Sequence, residues 1–160
     1  MEETYTIRAI GKLRTPYTDM MQTPVQSQCS VGRGTIEVNP EFAEGLDQID
    51  TFSHLMLFVR LDRAPAELLA EKPMVDGGAS HGIFATRHMS RPNKIGFSVV
   101  RLLARRDNML LIEGVDFLDG TPVLDIKPYI PAFDAVPDAS SGWLTDQHLA
   151  NIAEKSKNLS

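Results

Sequence analysis

The sequence predicts a mainly β protein: a small antiparallel β-barrel with short helices and a C-terminal helix. Three observations predict it. Six short segments rich in Val, Ile, Phe and Thr follow one another at close spacing. Helical signals are brief. No strand-like segment is followed by a long helix, which disfavours a doubly wound parallel sheet and favours a closed all-β shell. The 160 residues suffice for one domain with a real core. Residues 1–140 read as the barrel and 141–160 as an arm and helix of the same domain.

The strand-like segments are "YTIRAIG" from Tyr5, "GTIEV" from Gly34, "SHLMLFVRL" from Ser53, "IGFSVVRLLA" from Ile95, "MLLIEGVDFL" from Met109 and "TPVLDI" from Thr121. The few polar residues of "ARRDN" between two of them predict a hairpin. "VDGGAS" from Val75 reads as a flexible loop. In "NPEFAEGLDQI", Asn39 is a candidate N-cap with Pro40 at the first helical position, and the helix should end near Gly45. "APAELLAEKP" reads as a helix stopped by Pro73. "TDQHLANIAEKSK" carries Leu149 and Ile152 at helical spacing, with Thr145 or Asp146 as cap. The preceding "YIPAFDAVPDASSGWL" is rich in Pro and Ser yet holds Tyr129, Phe133 and Trp143, so it reads as an ordered arm.

Composition narrows the function classes. Hydrophobic residues make up 42%, as in a globular protein. No apolar run approaches the ~20 residues of a membrane helix. The N-terminal "MEETYTIRAIGKL" lacks a basic-then-apolar signal, and Cys29 has no second cysteine to pair with, which predicts a cytoplasmic protein. No Cys/His spacing suits zinc, so no metal is expected. The net charge of −5 lowers the expectation of broad nucleic-acid binding, although it leaves room for a local basic patch.

Two formal motifs lack their context. "GASHG" from Gly78 matches G-x-S-x-G, but a loop precedes Ser80 and a strand-like segment follows it, where a nucleophile elbow needs a strand and a helix. "GRG" from Gly32 has neither the third glycine nor the helix of a dinucleotide site.

Two constellations remain. In "HGIFATRHMSRPNKIGFSVVRL", Arg87 and Arg91 flank the approach to an Arg-Pro-Asn turn. Arg87 should emerge at the end of a short buried strand, "GIFAT". Gly96 should permit close backbone approach where the next strand begins. A strand-end rim is where barrels place ligand-contacting groups, so the arginines are candidates for binding as well as for surface pairing. In "DFLDGTPVLDIKPYIP", Asp116, Asp119 and Asp125 accompany a turn at Asp119-Gly120. Regular alternation would put Val123, Asp125, Lys127 and Tyr129 on one face. That face is either solvated, with a weak Asp–Lys pair, or a polar pocket wall. Gln26 in "TPVQSQ" offers an amide that both donates and accepts. His54, inside an apolar strand, reads as a structural hydrogen-bonding residue, and Asp62-Arg63 as the polar end of that strand.

Together these segments resemble the TsaA/TrmO family of S-adenosylmethionine-dependent tRNA methyltransferases, in a short single-domain form. The strings that carry the resemblance are "PVQ", "GLDQIDTFSHLMLF", "GIFATRHMSRPNKIGFSVVRL" and "DFLDGTPVLDIKPYIPAFDAVPDA", which occur in family order. The resemblance implies a small β-barrel that pairs as a homodimer, and a cofactor, S-adenosyl-L-methionine, near the subunit interface. It implies N6-methylation of threonylcarbamoyl-adenosine beside the anticodon of a threonine tRNA. It further implies that Pro24, Val25, Gln26, Asp62, Arg63, Arg87, Phe97, Ser98, Leu118, Asp119, Gly120 and Thr121 line the cofactor site, and that Asp125, Lys127 and Tyr129 border the reaction site. On that basis Arg87 pairs with the cofactor carboxylate, and Arg91 and Asn93 face the RNA. The proton acceptor is Asp125 or water. Two other readings stay open: the same chemistry on another RNA or a small molecule, and a non-catalytic cofactor-binding module.

Overall fold

The computed structural model describes residues 3–71, 73 and 78–157. Six strands close into an antiparallel barrel in the order β1 (Gly11–Arg14), β2 (Arg33–Val38), β7 (Met109–Glu113), β6 (Ile95–Arg106), β3 (His54–Arg60) and β8 (Pro122–Pro128). Two-residue strands β4 (Ala70–Glu71) and β5 (His81–Gly82) pair outside it. Two α-helices follow, α1 (Pro131–Asp134) and α2 (Asp146–Lys157). The predicted class is thus the observed one.

Alternation fills the shell. Leu13, Ile36, Val38, Leu55, Leu57, Val59, Val100, Leu110, Ile112 and Val123 point inward and are almost wholly buried. β6 is the corner strand: residues from Ile95 to Arg101 pair with β3, and Arg101 to Arg106 pair with β7. The expected hairpin joins β6 to β7, and Asp107 turns it in the left-handed region at φ 52°.

Four expectations are corrected. "YTIRAIG" becomes a strand only at Gly11. Tyr5 and Ile7 stand in solvent, so their alternation has no neighbour to pair with. "APAELLAEKP" forms no helix among its described residues. Its backbone bonds sideways instead, Leu68 N–H to Ser90 O at 3.0 Å and Ile83 N–H to Leu69 O at 2.9 Å. "GIFAT" is a 3-10 turn, Ile83–Ala85, rather than a buried strand. The helix after Asn39 is likewise 3-10, running from Pro40 to Leu46 with no Asn39 side-chain cap. Part of "VDGGAS", residues 75–77, lies outside the described residues.

Thr145 settles the capping of α2: its Oγ1 accepts the His148 N–H at 3.2 Å. The arm before the helix is ordered by Trp143, whose ring stacks on His81 at 4.0 Å and whose Nε1 donates to Ala85 O at 2.8 Å.

Candidate functional site

The pairings Arg33 with Glu113, Arg60 with Ile95 and Lys12 with Pro122 place three strand-to-strand connections at one end of the barrel. Residues 15–32, 61–94 and 114–121 therefore meet on one rim. Nearly all the cofactor-site residues named from sequence lie on it.

Two of these loops touch through two of the residues named from sequence. Arg87 Nη1 donates to Gln26 Oε1 at 3.0 Å, with Arg87 exposed. Beneath them lies a group the sequence reading left without a role. Asp116 Oδ1 accepts the hydroxyl of Ser98, itself buried, at 2.7 Å. Desolvation pushes the Asp116 carboxyl up to about 7, against the opposing pull of the Ser98 hydroxyl, the backbone amides of Ser27 and Asp116, and the positive Arg87. A carboxyl poised near neutrality in a polar cluster is a mark of functional sites. Gly114, at φ 87°, turns the chain into this position, and a Cβ there would meet Ser27 O at 3.1 Å.

The same connection carries the second half of the rim. Arg63 Nη2 donates to Asp119 O at 2.6 Å and lies 3.4 Å from Thr121 Oγ1. The Thr121 hydroxyl closes on Leu118 O at 2.7 Å, and Asp119 Oδ1 accepts the Thr15 N–H at 3.0 Å. Gly120 completes the turn at φ 76°, as the Asp119-Gly120 signal predicts. Asp62 approaches Arg63 at 3.7 Å. Pro24 is buried, and Val25 and Gln26 are partly so.

Phe97 and Ser98 diverge because successive strand residues face opposite sides. Ser98 points inward. Phe97 is 43% exposed on the outer face, its ring 5.4 Å from that of Phe58. Gly96 accommodates side chains rather than backbone: a Cβ would meet Val59 Cγ2 at 2.8 Å and Leu61 Cδ2 at 3.0 Å.

The face predicted for β8 is corrected. Phe58 pairs with Asp125 but Val59 with Val123, so Leu124 is an extra residue in a β-bulge. One added residue reverses the alternation. Val123 lies in the core, whereas Asp125 and Lys127 stand partly or largely exposed and paired, Nζ to Oδ2, at 3.0 Å. Tyr129 is at the opposite end of the strand from the rim, its N–H on His54 O at 3.0 Å. His54 has the structural part expected, with Nδ1 2.8 Å from Ser53 Oγ.

Arg91 is drawn into its own loop: Nη1 reaches the carbonyl oxygens of Thr86 at 2.7 Å and Ile83 at 3.2 Å. Asn93 is exposed, and its carbonyl accepts the Arg60 guanidinium. Ser80 leads into β5 and then a 3-10 turn, without the strand-turn-helix of a nucleophile elbow. A depression of about 310 Å³ beside Arg14, Arg33 and Leu111 is lined by none of the predicted site residues.

Fold and site define a closed six-stranded barrel protein with a polar rim that holds a partly buried carboxyl. Residues 12–135 match the family described as the tRNA-methyltransferase O N-terminal domain. The chain belongs to that family. It is 46% identical over 138 residues to a Pyrococcus abyssi protein named "Probable S-adenosyl-L-methionine-binding protein", covering 86% of this chain and 74% of the relative. It is 34% identical to the tRNA (adenine(37)-N6)-methyltransferase of Escherichia coli, covering 90% of this chain and 66% of that one. The crystal structure of TrmO from Pseudomonas aeruginosa superposes with a TM-score of 0.75 at 38% identity, over 89% of this chain and 64% of that one. The chain thus spans about two thirds of the length of the last two.

Proposed function

We propose that the protein is an S-adenosyl-L-methionine-dependent tRNA methyltransferase acting on N6 of an adenosine. Its finer substrate in this reading is threonylcarbamoyl-adenosine beside the anticodon of a threonine tRNA, met by a homodimer in the cytoplasm. The observation that carries the reading is the junction of Gln26 and Arg87, 3.0 Å apart, over the Ser98–Asp116 pair, in a barrel of this family.

The donor set fits the cofactor. Among the described residues no carboxylate lies within ion-pair distance of Arg87, whose guanidinium rests on a neutral amide. It is therefore available for a carboxylate, which a planar guanidinium grips in bidentate fashion. Gln26 offers an amide edge. Leu118, Asp119, Gly120 and Thr121, held by Arg63, offer a fixed turn of backbone groups, and Pro24, Val25, Phe97 and Asp62 complete the surround. When bound, S-adenosyl-L-methionine supplies an electrophilic methyl group on a sulfonium that departs as a neutral thioether.

The chain's own task is then to position the nucleophile and to take at most one proton. Correct positioning is worth up to about 7–11 kcal/mol of barrier. Asp125 and Lys127 border the reacting adenosine in this reading, whereas Tyr129, at the far end of the strand, does not. Lys127 pairs with Asp125 at 3.0 Å and orients it, and Asp125 or water accepts the proton. The loop of Arg91 and Asn93 faces the RNA, with Arg91 holding its carbonyls in place and Asn93 presented at the surface.

The test is calorimetry with S-adenosyl-L-methionine followed by transfer of labelled methyl to threonine tRNA. Heat of binding and label on the adenosine beside the anticodon are expected. Binding without transfer to any tRNA leaves only a cofactor-binding module, and absence of binding overturns the reading.

A further inference from the structure

The rim loop that carries Gln26 is held by residues distant in sequence. On one side is α2. Ser156, fully buried, presents its Oγ to the N–H groups of Val25 at 3.2 Å and Gln26 at 3.3 Å. On the other side the loop packs against the connection after β7, where a Cβ at Gly114 would meet Ser27 O at 3.1 Å. Two successive backbone donors of the loop are thus taken by one side chain. Further bonds tie the rest of the loop to the barrel, Gln28 Nε2 to Val99 O at 2.9 Å and Ser30 Oγ to Val115 O at 3.1 Å.

We propose that Ser156 clamps the backbone of Val25 and Gln26, and that it is a positioning residue which sets Gln26 against Arg87. The terminal helix is then part of the site's machinery rather than a covering of the barrel. The physical ground is the need of each buried amide for an acceptor. A loop without this acceptor would seek water, and Gln26 would leave its place. A site whose supporting contacts are loose by an ångström loses much of its affinity. Trp143 adds a second tether from the same arm, to Ala85 on the loop that carries Arg87. The arm therefore grips both loops that meet at the Gln26–Arg87 contact.

The assignment of an affinity role rests on the cofactor reading above, so the test has one readout that does not. Amide hydrogen exchange is measured in Ser156→Ala and Ser156→Thr, with S-adenosyl-L-methionine calorimetry in parallel. In Ser156→Ala the Val25 and Gln26 amides should exchange at least tenfold faster, while those of the β3–β6 ladder stay unchanged. Cofactor affinity should fall about tenfold in Ser156→Ala, and Ser156→Thr, which keeps the hydroxyl, should recover most of it. Unchanged exchange at these amides overturns the clamp whatever the ligand does. Faster exchange with unchanged affinity overturns the positioning role. A wild-type protein that binds no cofactor overturns the functional reading, while the exchange data still decide the clamp.

Discussion

Ser98 gives its hydroxyl to Asp116 at 2.7 Å, joining the interior of β6 to the connection that leaves β7. The contact stabilises the ionised carboxylate against the desolvation that raises its pKa. Ser98→Ala should therefore move the Asp116 titration further above 7. Carboxyl-carbon NMR across pH 5–9 reads it directly, and a midpoint that falls on removing the hydroxyl would contradict the assignment.

Asp116 also makes stability depend on pH with a definite sign. Its pKa rises from 3.8 in a free carboxyl to about 7 in the fold, so the native state holds a proton that the unfolded chain releases. The contribution is fully present below about 4 and is lost as pH rises through 7. Asp116→Asn, which does not titrate, should lack this decline. Urea unfolding at pH 5 and pH 8 checks it: the stability difference between the two pH values should be smaller in the variant.

Arg87→Ala should remove most of the affinity for S-adenosyl-L-methionine, by at least tenfold in calorimetry. The exposed guanidinium contributes little to folding, so the melting temperature should stay within a degree or two. Arg87→Lys should recover only part of the affinity, because an ammonium cannot make the bidentate contact.

Gly120→Ala tests the turn apart from packing. Nothing lies within 4 Å of a Cβ placed there, so the cost is that of φ 76° alone. It should be about 1–2 kcal/mol in thermal denaturation, and less for Gly120→Asn. A neutral alanine variant would mean that the turn relaxes freely.

Much of this structure could be read in the residues. Strands β2, β3, β6, β7 and β8, the Asp107 hairpin and α2 follow from apolar spacing and turn chemistry. Alternation cannot foresee the bulge at Leu124, because whether a strand carries an extra residue depends on its partner, here Phe58 and Val59. Nor can local pattern tell that Tyr5 and Ile7 lack a neighbour. At the rim, the family strings led to Gln26 and Arg87. Asp116 stood in plain view in "DFLDG" without a role, since what gives it one, Ser98 and Ser27, lies on other loops and strands. Ser156 was hidden for the same reason: a serine near the end of a polar helix offers no signal until the loop it touches is placed.

Trp143 is the sole tryptophan in the chain, and it reports from the seam between the arm and the loop that carries Arg87. Intrinsic emission therefore watches one hinge without a label. Undocking of the arm would shift that emission to the red while the far-ultraviolet dichroism of the barrel stayed constant, so loosening of the rim can be told from loss of the fold in a single cuvette.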